Sequence, residues 1–337
     1  MPSNKLLLSS SPHVFTGVTP RKIMLAVIIA LMPTSVYGVV LYGMPALMLI
    51  LVSVVSAVVA EAAFRKATGQ DVRIDDLSAV VTGLLLALIS PPSLPLWMAS
   101  LGSIAAVIFA KEFFGGLGAN PFNPALIGRA ILLMSFPAAM TTWHVPFGPL
   151  TDATTAATPL NIVKMGGTIA QVGQNFVDTG LAGTADYSAT LWTLFLGNRA
   201  GSLGESSILL ILIGFAFLLA LKVVNIVTPL AMIGTTFIVS WLLGMDPVFG
   251  ILSGGVVFGA IFMATDYASS PVTPAGKIIF GAGAGALTAI IRRFGGFPEG
   301  VTYGILIMNT VAPFLDKLRV KKYGFVPPAK PAKEAGK

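Results

Sequence analysis

The sequence has no cysteine and only two histidines, and these absences limit its chemistry. Without cysteine in its 337 residues, the chain cannot form disulfides, ligate iron–sulfur clusters through thiolates or use a catalytic thiol. His13 and His144 lie in polar segments, which argues against a haem held by two histidines inside a bilayer. We predict no metal site and no catalytic residue in this chain, so any electrons must be carried by an organic cofactor.

Charge is also scarce. Only 10% of the residues are charged and 55% are apolar, whereas a soluble domain has about 25% charged residues. The charges separate apolar runs of about 20 residues, the length of a membrane-spanning helix. The net charge of +7 is best explained by retention of Lys and Arg on the cytoplasmic side. No basic groove interleaved with aromatic residues is evident, and we expect no nucleic-acid partner.

The apolar runs predict an all-α polytopic membrane protein with about ten transmembrane helices, several of them short. They fall at about 22–42, 45–64, 77–91, 96–114, 124–137, 206–221, 223–244, 248–264, 276–292 and 300–317. The predicted organisation is an N-terminal arm (1–20), a first five-helix repeat (21–137), a loop (138–205), a second five-helix repeat (206–317) and a tail (318–337). With ten spans, the flanking basic residues place both termini in the cytoplasm and the loop outside. Arg292 and Arg293 are the exception to this rule.

Two similar segments indicate an internal repeat. Ser90-Pro91 is followed by an apolar run and Phe114-Gly115-Gly116, and Ser270-Pro271 is followed at the same spacing by Phe294-Gly295-Gly296. Because five spans are an odd number, the second half enters the membrane from the opposite side, and broken helices at the interface of the halves become candidate sites. The alternative is chance recurrence in a chain rich in Gly and Pro.

Several polar residues interrupt the apolar runs. Asn120-Pro121-Phe122-Asn123-Pro124 cannot continue a helix and predicts a broken start to the fifth span, with Arg129 just beyond it. Arg129 either snorkels to the interface or serves as a cation for a phosphate, carboxylate or flavin. Asp266 is either a solvated helix-end carboxylate or, with Asn309, part of an ion path. Glu299 is interpreted as complementing a helix N-terminus.

The predicted loop carries the most informative segment, Asp152–Leu160, which is small, polar and rich in hydroxyls. It lies in a long connection, between Pro137 and about Gly204, that we predict to be non-helical, and a connection of that length is usually functional. Thr158 is the first candidate to carry a covalent group. The Gly-rich stretch 196–207 offers backbone N–H groups to an anion. Gly201, Ser202 and Glu205 are its candidate binding residues.

Together these motifs resemble the D subunit of the Rnf electron-transport complex, which is related to the B subunit of the sodium-pumping NADH:quinone reductase. The resemblance spans nearly the whole chain. It rests on Ser10-Ser11-Pro12-His13, Asn120–Ala125, Asp152–Leu160, Gly201–Glu205, Met263–Asp266 and Pro298–Val301.

The resemblance implies FMN attached through its phosphate to the last threonine of an Asp-x-x-(Ser/Thr)-Gly-Ala-Thr motif by a flavin transferase outside the cytoplasmic membrane. Asp152, Thr155, Ala157 and Thr158 match that motif, and Ala156 departs from it where the family often has Gly. A second flavin, such as riboflavin, is compatible with the resemblance near the inner side.

The expected function is that of a bacterial inner-membrane subunit of an ion-translocating ferredoxin:NAD⁺ oxidoreductase, inert alone, that relays electrons through FMN and contributes to Na⁺ or H⁺ translocation. The implied partners are an FMN-bearing extracytoplasmic subunit, small membrane subunits, and subunits with the iron–sulfur clusters and NADH site. The rival is a small-solute channel or secondary transporter with a five-plus-five repeat. Fold alone does not decide between them.

Overall fold

Helices form all of the regular secondary structure that the computed structural model describes, namely residues 19–147, 157–296 and 299–319. The all-α prediction is therefore confirmed for these ranges. The α-helices are α1 (Pro20–Tyr42), α2 (Met44–Ala67), α3 (Ser78–Leu88), α4 (Leu96–Ala110), α5 (Pro124–Ser135), α6 (Pro137–Thr141), α7 (Pro159–Lys164), α8 (Ile169–Asp178), α9 (Tyr187–Leu196), α10 (Ile208–Ala220), α11 (Val227–Leu242), α12 (Pro247–Leu252), α13 (Val256–Phe258), α14 (Pro274–Phe294) and α15 (Val301–Leu315).

Among the described residues, four helical stretches are long and apolar enough to cross a membrane: Pro20–Tyr42, Met44–Ala67, Leu96–Phe114 and Pro274–Phe294. Five other apolar helices are shorter: α3, α5, α10, α11 and α15. The 11 residues of α3 extend only about 16 Å, roughly half of a ~30 Å hydrocarbon core. Large apolar side chains such as Val55 and Leu230 are exposed on the helix faces, where lipid can cover them. These features are those of a multi-pass membrane protein.

The eighth predicted span, 248–264, is not a single helix. α12 ends at Leu252, α13 follows at Val256, and a π-helical turn runs from Gly259 to Met263. The break falls where Gly254 adopts a φ of +66°, in the left-handed region that favours glycine. The apolar run does not by itself locate this break, because apolar composition does not report the backbone conformation.

The connection predicted to be non-helical contains the four short helices α6 to α9. α8 begins with a capping box in which Thr168 and Gln171 satisfy each other's backbone N–H groups. The segment packs through an apolar cluster that includes Val172, Phe176 and Phe249. The prediction failed because helices of 5 to 10 residues show too few turns for their apolar period to stand out.

Polar contacts also fasten this connection to the second half of the chain. Lys164 Nζ donates hydrogen bonds to the backbone carbonyls of Arg292, at 3.0 Å, and Gly295. Burial lowers the pKa of the Lys164 ammonium below its usual value. The Tyr187 hydroxyl donates to Asp246 Oδ2 at 2.8 Å. The segment that carries Thr158 is thus held against α11, α12 and α14.

The two halves of the chain pack in the same order. α2 packs against α3 and α4, and α4 packs against α5; α11 packs against α12 and α14, and α14 packs against α15. The halves meet where α1 contacts α10 and where α5 contacts α15. α14 approaches α11 closely at Gly285. A Cβ at this position would lie only 2.3 Å from the Met232 carbonyl oxygen. We name the two ends of the bundle after residues located there, the Thr158 end and the Lys111 end.

Candidate functional site

Thr158 is the N-cap of α7, and its Oγ1 accepts a hydrogen bond from the Asn161 backbone N–H at 3.2 Å. Pro159 follows at the first helical position, a sequence that favours a helix start. The Thr158 residue is only 7% exposed, whereas the neighbouring Ala157 is exposed. The other two predicted motif residues, Asp152 and Thr155, lie outside the described residues.

A small cavity adjoins Thr158. Its lining brings Thr158 together with two predicted site residues, Gly201 and Glu205, and adds Arg199 and Glu299. A side chain at Gly201 would meet no atom within 4 Å. Ser202, the remaining predicted residue of the Gly-rich stretch, is fully buried at the turn that leads to Glu205.

Arg129 does not snorkel to an interface. It is 6% exposed, forms an ion pair with Glu205 at 3.6 Å and forms a second ion pair with Glu299. Glu299 therefore has a cation partner and does more than complement the start of α15. Because Arg129 belongs to α5 and Glu299 precedes α15, this pair joins the two halves of the chain.

Two further buried arginines complete the site, and the sequence did not predict their role. Arg199 donates to the backbone carbonyls of Leu252 and, at 2.6 Å, Glu205. Arg292 donates to the carbonyls of Gly250 at 2.5 Å and Ser253 at 3.1 Å. Both guanidinium groups thus donate to backbone carbonyls at the end of α12, where no following helical turn supplies N–H partners. The sequence feature that could have indicated this role was Arg292 itself, a basic residue that does not fit the cytoplasmic placement of Lys and Arg.

We call Arg129, Arg199, Arg292, Glu205 and Glu299 the arginine cluster. Arg129 Nε and Arg292 Nε are buried without a hydrogen-bond partner in the described part of the chain, and so is Ser253 Oγ. Unsatisfied buried donors are uncommon in folded proteins. On the cavity lining, Thr158 offers a hydroxyl for esterification and Arg199 offers a guanidinium group, from which phosphate oxygens can accept hydrogen bonds.

The arginine cluster leaves no room for a side chain at Gly255. A Cβ there would lie 2.1 Å from Glu205 Oε1, so Gly255→Ala must displace the carboxylate from Arg129. We expect the variant to lose about 1–3 kcal/mol of stability, as in other overpacked sites. Thermal unfolding in detergent measures the loss. Gly183→Ala is the matched control, because a Cβ at Gly183 meets nothing within 4 Å. Equal melting midpoints for the two variants would contradict this contact.

A second cleft lies between the halves at the Lys111 end. Its polar lining residues are Ser78, Thr82, Lys111, Asn120, Asn123, Thr265 and Asp266. Asp266 accepts a hydrogen bond from Ser269 Oγ at 2.8 Å, and the Ser269 carbonyl accepts one from Asn309 Nδ2 at 3.0 Å. The two candidate ion-path residues are therefore connected through Ser269, but only Asp266 lines the cleft.

Glu61 and Glu112 form ion pairs beside this cleft. Lys111 Nζ lies 2.8 Å from Glu61, and Arg65 Nε lies 3.0 Å from Glu112. All four side chains are buried. Their charges balance, two against two, so this group requires no further ion.

Comparison with known proteins identifies the family of this chain. A family model described as the NQR2, RnfD, RnfE family matches residues 7–324. The chain is 45% identical to the D subunit of the proton-translocating ferredoxin:NAD(+) oxidoreductase complex of Clostridium ljungdahlii, over 93% of this chain and 94% of that protein. It is 41% identical to the D subunit of the Na(+)-translocating ferredoxin:NAD(+) oxidoreductase complex of Acetobacterium woodii, over 97% and 98% respectively. The resemblance deduced from the motifs is confirmed, and the chain belongs to the NQR2, RnfD, RnfE family.

Proposed function

We propose that this chain is the D-type membrane subunit of an ion-translocating ferredoxin:NAD⁺ oxidoreductase complex and carries FMN on Thr158. The observation that supports the cofactor best is the position of the Thr158 hydroxyl, beside an unfilled cavity and buried arginines. In-gel flavin fluorescence that survives denaturation tests the proposal. It should appear when the chain is produced with a flavin transferase and be absent without one. A small-solute channel, the rival function, has no need for this flavin.

The chain's residues would hold the cofactor and leave the redox chemistry to it. FMN supplies one- and two-electron transfer when bound. Thr158 keeps it at high local concentration through a phosphoester, and the arginine cluster provides the positive charge around the phosphate. Asp152 and Thr155 belong to the motif that the transferase would recognise.

The complex would supply what this chain lacks. Without cysteine it has no thiolate ligands, so iron–sulfur clusters and the NADH site would belong to partner subunits. We also propose an FMN-bearing extracytoplasmic subunit and small membrane subunits as neighbours. Exposed apolar helix faces offer contact area for membrane partners as well as for lipid.

We further propose ten membrane crossings arranged as two inverted repeats. The matching packing order of the two halves supports this arrangement, and so do the paired contacts of α1 with α10 and of α5 with α15. α3 and the broken α12–α13 segment would be the corresponding discontinuous spans.

The topology proposal places both termini in the cytoplasm and residues 138–205 outside the inner membrane. A cysteine at Gly183 should react with an impermeant thiol reagent in intact cells, and a cysteine at Ala335 should not. Because the native chain has no cysteine, the background of labelling is zero for this protein. The reverse labelling pattern would rule out the orientation and the extracytoplasmic attachment of FMN.

The cleft at the Lys111 end is our candidate for ion coupling, with Asp266 as the main carboxylate and Asn309 in support. Asp266→Asn should leave electron transfer and flavin content intact and lower ion uptake per electron several-fold in inverted vesicles, because the charge for a cation is lost. The exposed Asp71→Asn is the control. Unchanged uptake per electron would exclude Asp266 from the path.

The same cleft is also our candidate place for a second flavin such as riboflavin, since its amide and hydroxyl side chains suit a neutral polar ring. Flavin held there without a covalent bond would be released by denaturation, whereas FMN on Thr158 would remain on the chain. Separating the two fractions after denaturation distinguishes the two sites.

A further inference from the structure

A separate cavity at the Thr158 end lies between the short helices α7 and α8 and the ends of α11 and α14. We call it the α11–α14 cavity. Its volume is about 220 Å³, whereas a single water needs only about 10–15 Å³. Thr158 does not line it. The cavity is therefore large enough for a polyatomic ligand and is distinct from the small cavity beside Thr158.

Three cations and one carboxylate line the α11–α14 cavity: Lys164, Arg292, Arg293 and Asp246. Both oxygens of Asp246 already accept hydrogen bonds, from the Tyr187 hydroxyl at 2.8 Å and from the Phe249 backbone N–H at 2.8 Å. In the described part of the chain, no carboxylate lies within 4 Å of the Arg292 or Arg293 guanidinium group. The lining thus keeps a surplus of positive charge whether or not Lys164 is protonated.

Arg292 is the buried cation of this lining. It is 6% exposed, and its two terminal nitrogens donate to the carbonyls of Gly250 and Ser253. Its Nε has no hydrogen-bond partner among the described residues. Glu205 and Glu299 act on its charge only from beyond 4 Å, and both pair directly with another arginine. Since buried charge is costly without a close counter-charge, an anion in the cavity is favourable here.

Exposed apolar side chains flank the α11–α14 cavity on both helices. Ile290 and Phe294 are 43% and 72% exposed, and their spacing places them on the same face of α14 as Arg293. Near the end of α11, Trp241 and Leu242 are 67% and 70% exposed. Tryptophan concentrates where a membrane meets water. The cavity therefore lies at the level where lipid headgroups join their acyl chains.

We propose that the α11–α14 cavity binds the phosphate of an anionic phospholipid, with Arg292 and Arg293 as its cationic contacts and the acyl chains on the exposed faces of α11 and α14. Guanidinium–phosphate contacts are strong because they are charge-assisted, and basic pockets between membrane helices suit anionic headgroups. The inference depends neither on FMN at Thr158 nor on the orientation of the chain, because headgroups lie at both interfaces.

The test uses the full-length chain, purified without the flavin transferase and stripped of lipid in an uncharged detergent. Saturating phosphatidylglycerol should raise the melting midpoint by about 2–4 °C. Phosphatidylcholine with the same acyl chains should not raise it, because its headgroup has no net charge. Inorganic phosphate at the same concentration should not raise it either, because it has no acyl chains. An equal gain with phosphatidylcholine or with phosphate would overturn the lipid site.

Variants of Arg293 locate the effect. Arg293 forms no hydrogen bond or ion pair with the described residues, so its substitution leaves the packing intact. In titrations of the melting midpoint, Arg293→Gln should weaken phosphatidylglycerol binding about 5-fold and Arg293→Glu roughly 25-fold, because each charge near an anionic headgroup contributes about 5-fold. Arg293→Lys keeps the charge and should retain most of the affinity.

Lys222→Gln is the matched control, since it removes the same charge from an exposed position at the Lys111 end. It should leave the affinity unchanged. Wild-type affinity in Arg293→Glu, or equal losses in Lys222→Gln and Arg293→Gln, would overturn the site. The flavinylated chain should bind phosphatidylglycerol as the unmodified chain does. Loss of binding on flavinylation would assign the cavity to the flavin and overturn the lipid site, while absence of flavinylation would leave it intact.

Discussion

Thr158→Ala is expected to abolish the covalent flavin and to lower ferredoxin-dependent NAD⁺ reduction by the assembled complex about 100-fold or more. Alanine has no hydroxyl to esterify, and an untethered FMN loses the effective concentration that a tether provides, commonly 10²- to 10⁴-fold. The rate is measured in membranes that contain the whole complex, and the amount of each subunit is checked by immunoblot.

Two further variants distinguish loss of the Thr158 hydroxyl from disruption of the structure around it. Thr158→Ser keeps both the hydroxyl and the N-cap of α7, so it should retain flavin. Thr154→Ala removes a neighbouring hydroxyl at a position that the motif leaves open and should also retain flavin. Flavin that persists in Thr158→Ala but disappears in Thr155→Ala would move the attachment to Thr155.

Arg129→Met should destabilise the chain by about 3–5 kcal/mol, the usual consequence of removing one partner from a buried ion pair. Arg129 is the only cation within 4 Å of the Glu205 and Glu299 carboxylates in the described ranges. Its loss leaves the Glu205 side chain, 6% exposed, without a described cation within 4 Å. Thermal unfolding of the purified chain measures the effect.

A second substitution tests whether charge is the cause. Arg129→Met combined with Glu205→Gln should recover part of the lost stability, because the unpaired buried carboxylate is gone. The exposed Arg73→Met should change stability by no more than about 0.5 kcal/mol. If the double variant is as unstable as Arg129→Met alone, the arginine acts through packing and not through these carboxylates.

Local features of the sequence singled out several residues that meet at the cavity beside Thr158. Thr158, Gly201 and Glu205 were identified because their segments are polar and glycine-rich within an apolar chain, and the structure brings these three together. Arg129 was identified because an arginine inside an apolar run is costly. In each case the signal lies within a few neighbouring residues.

The partners of these residues could not be predicted in the same way. Arg129 and Glu299 are 170 residues apart, and nothing near either one indicates the other. The roles of Arg199 and Arg292 depend on carbonyls that become free only where α12 ends at Leu252. A hydropathy pattern predicts the apolar run but not this break, so the arginines that stabilise the break remained unexplained.

The central claim is that FMN is attached to Thr158, and peptide mapping of the chain from the native complex tests it most directly. Proteolysis followed by mass spectrometry should find the phosphodiester-linked FMN on the fragment that contains Thr158, with fragmentation placing it on that residue. A fragment containing Thr158 that is wholly unmodified in the active complex, or flavin on any other residue, would contradict the account.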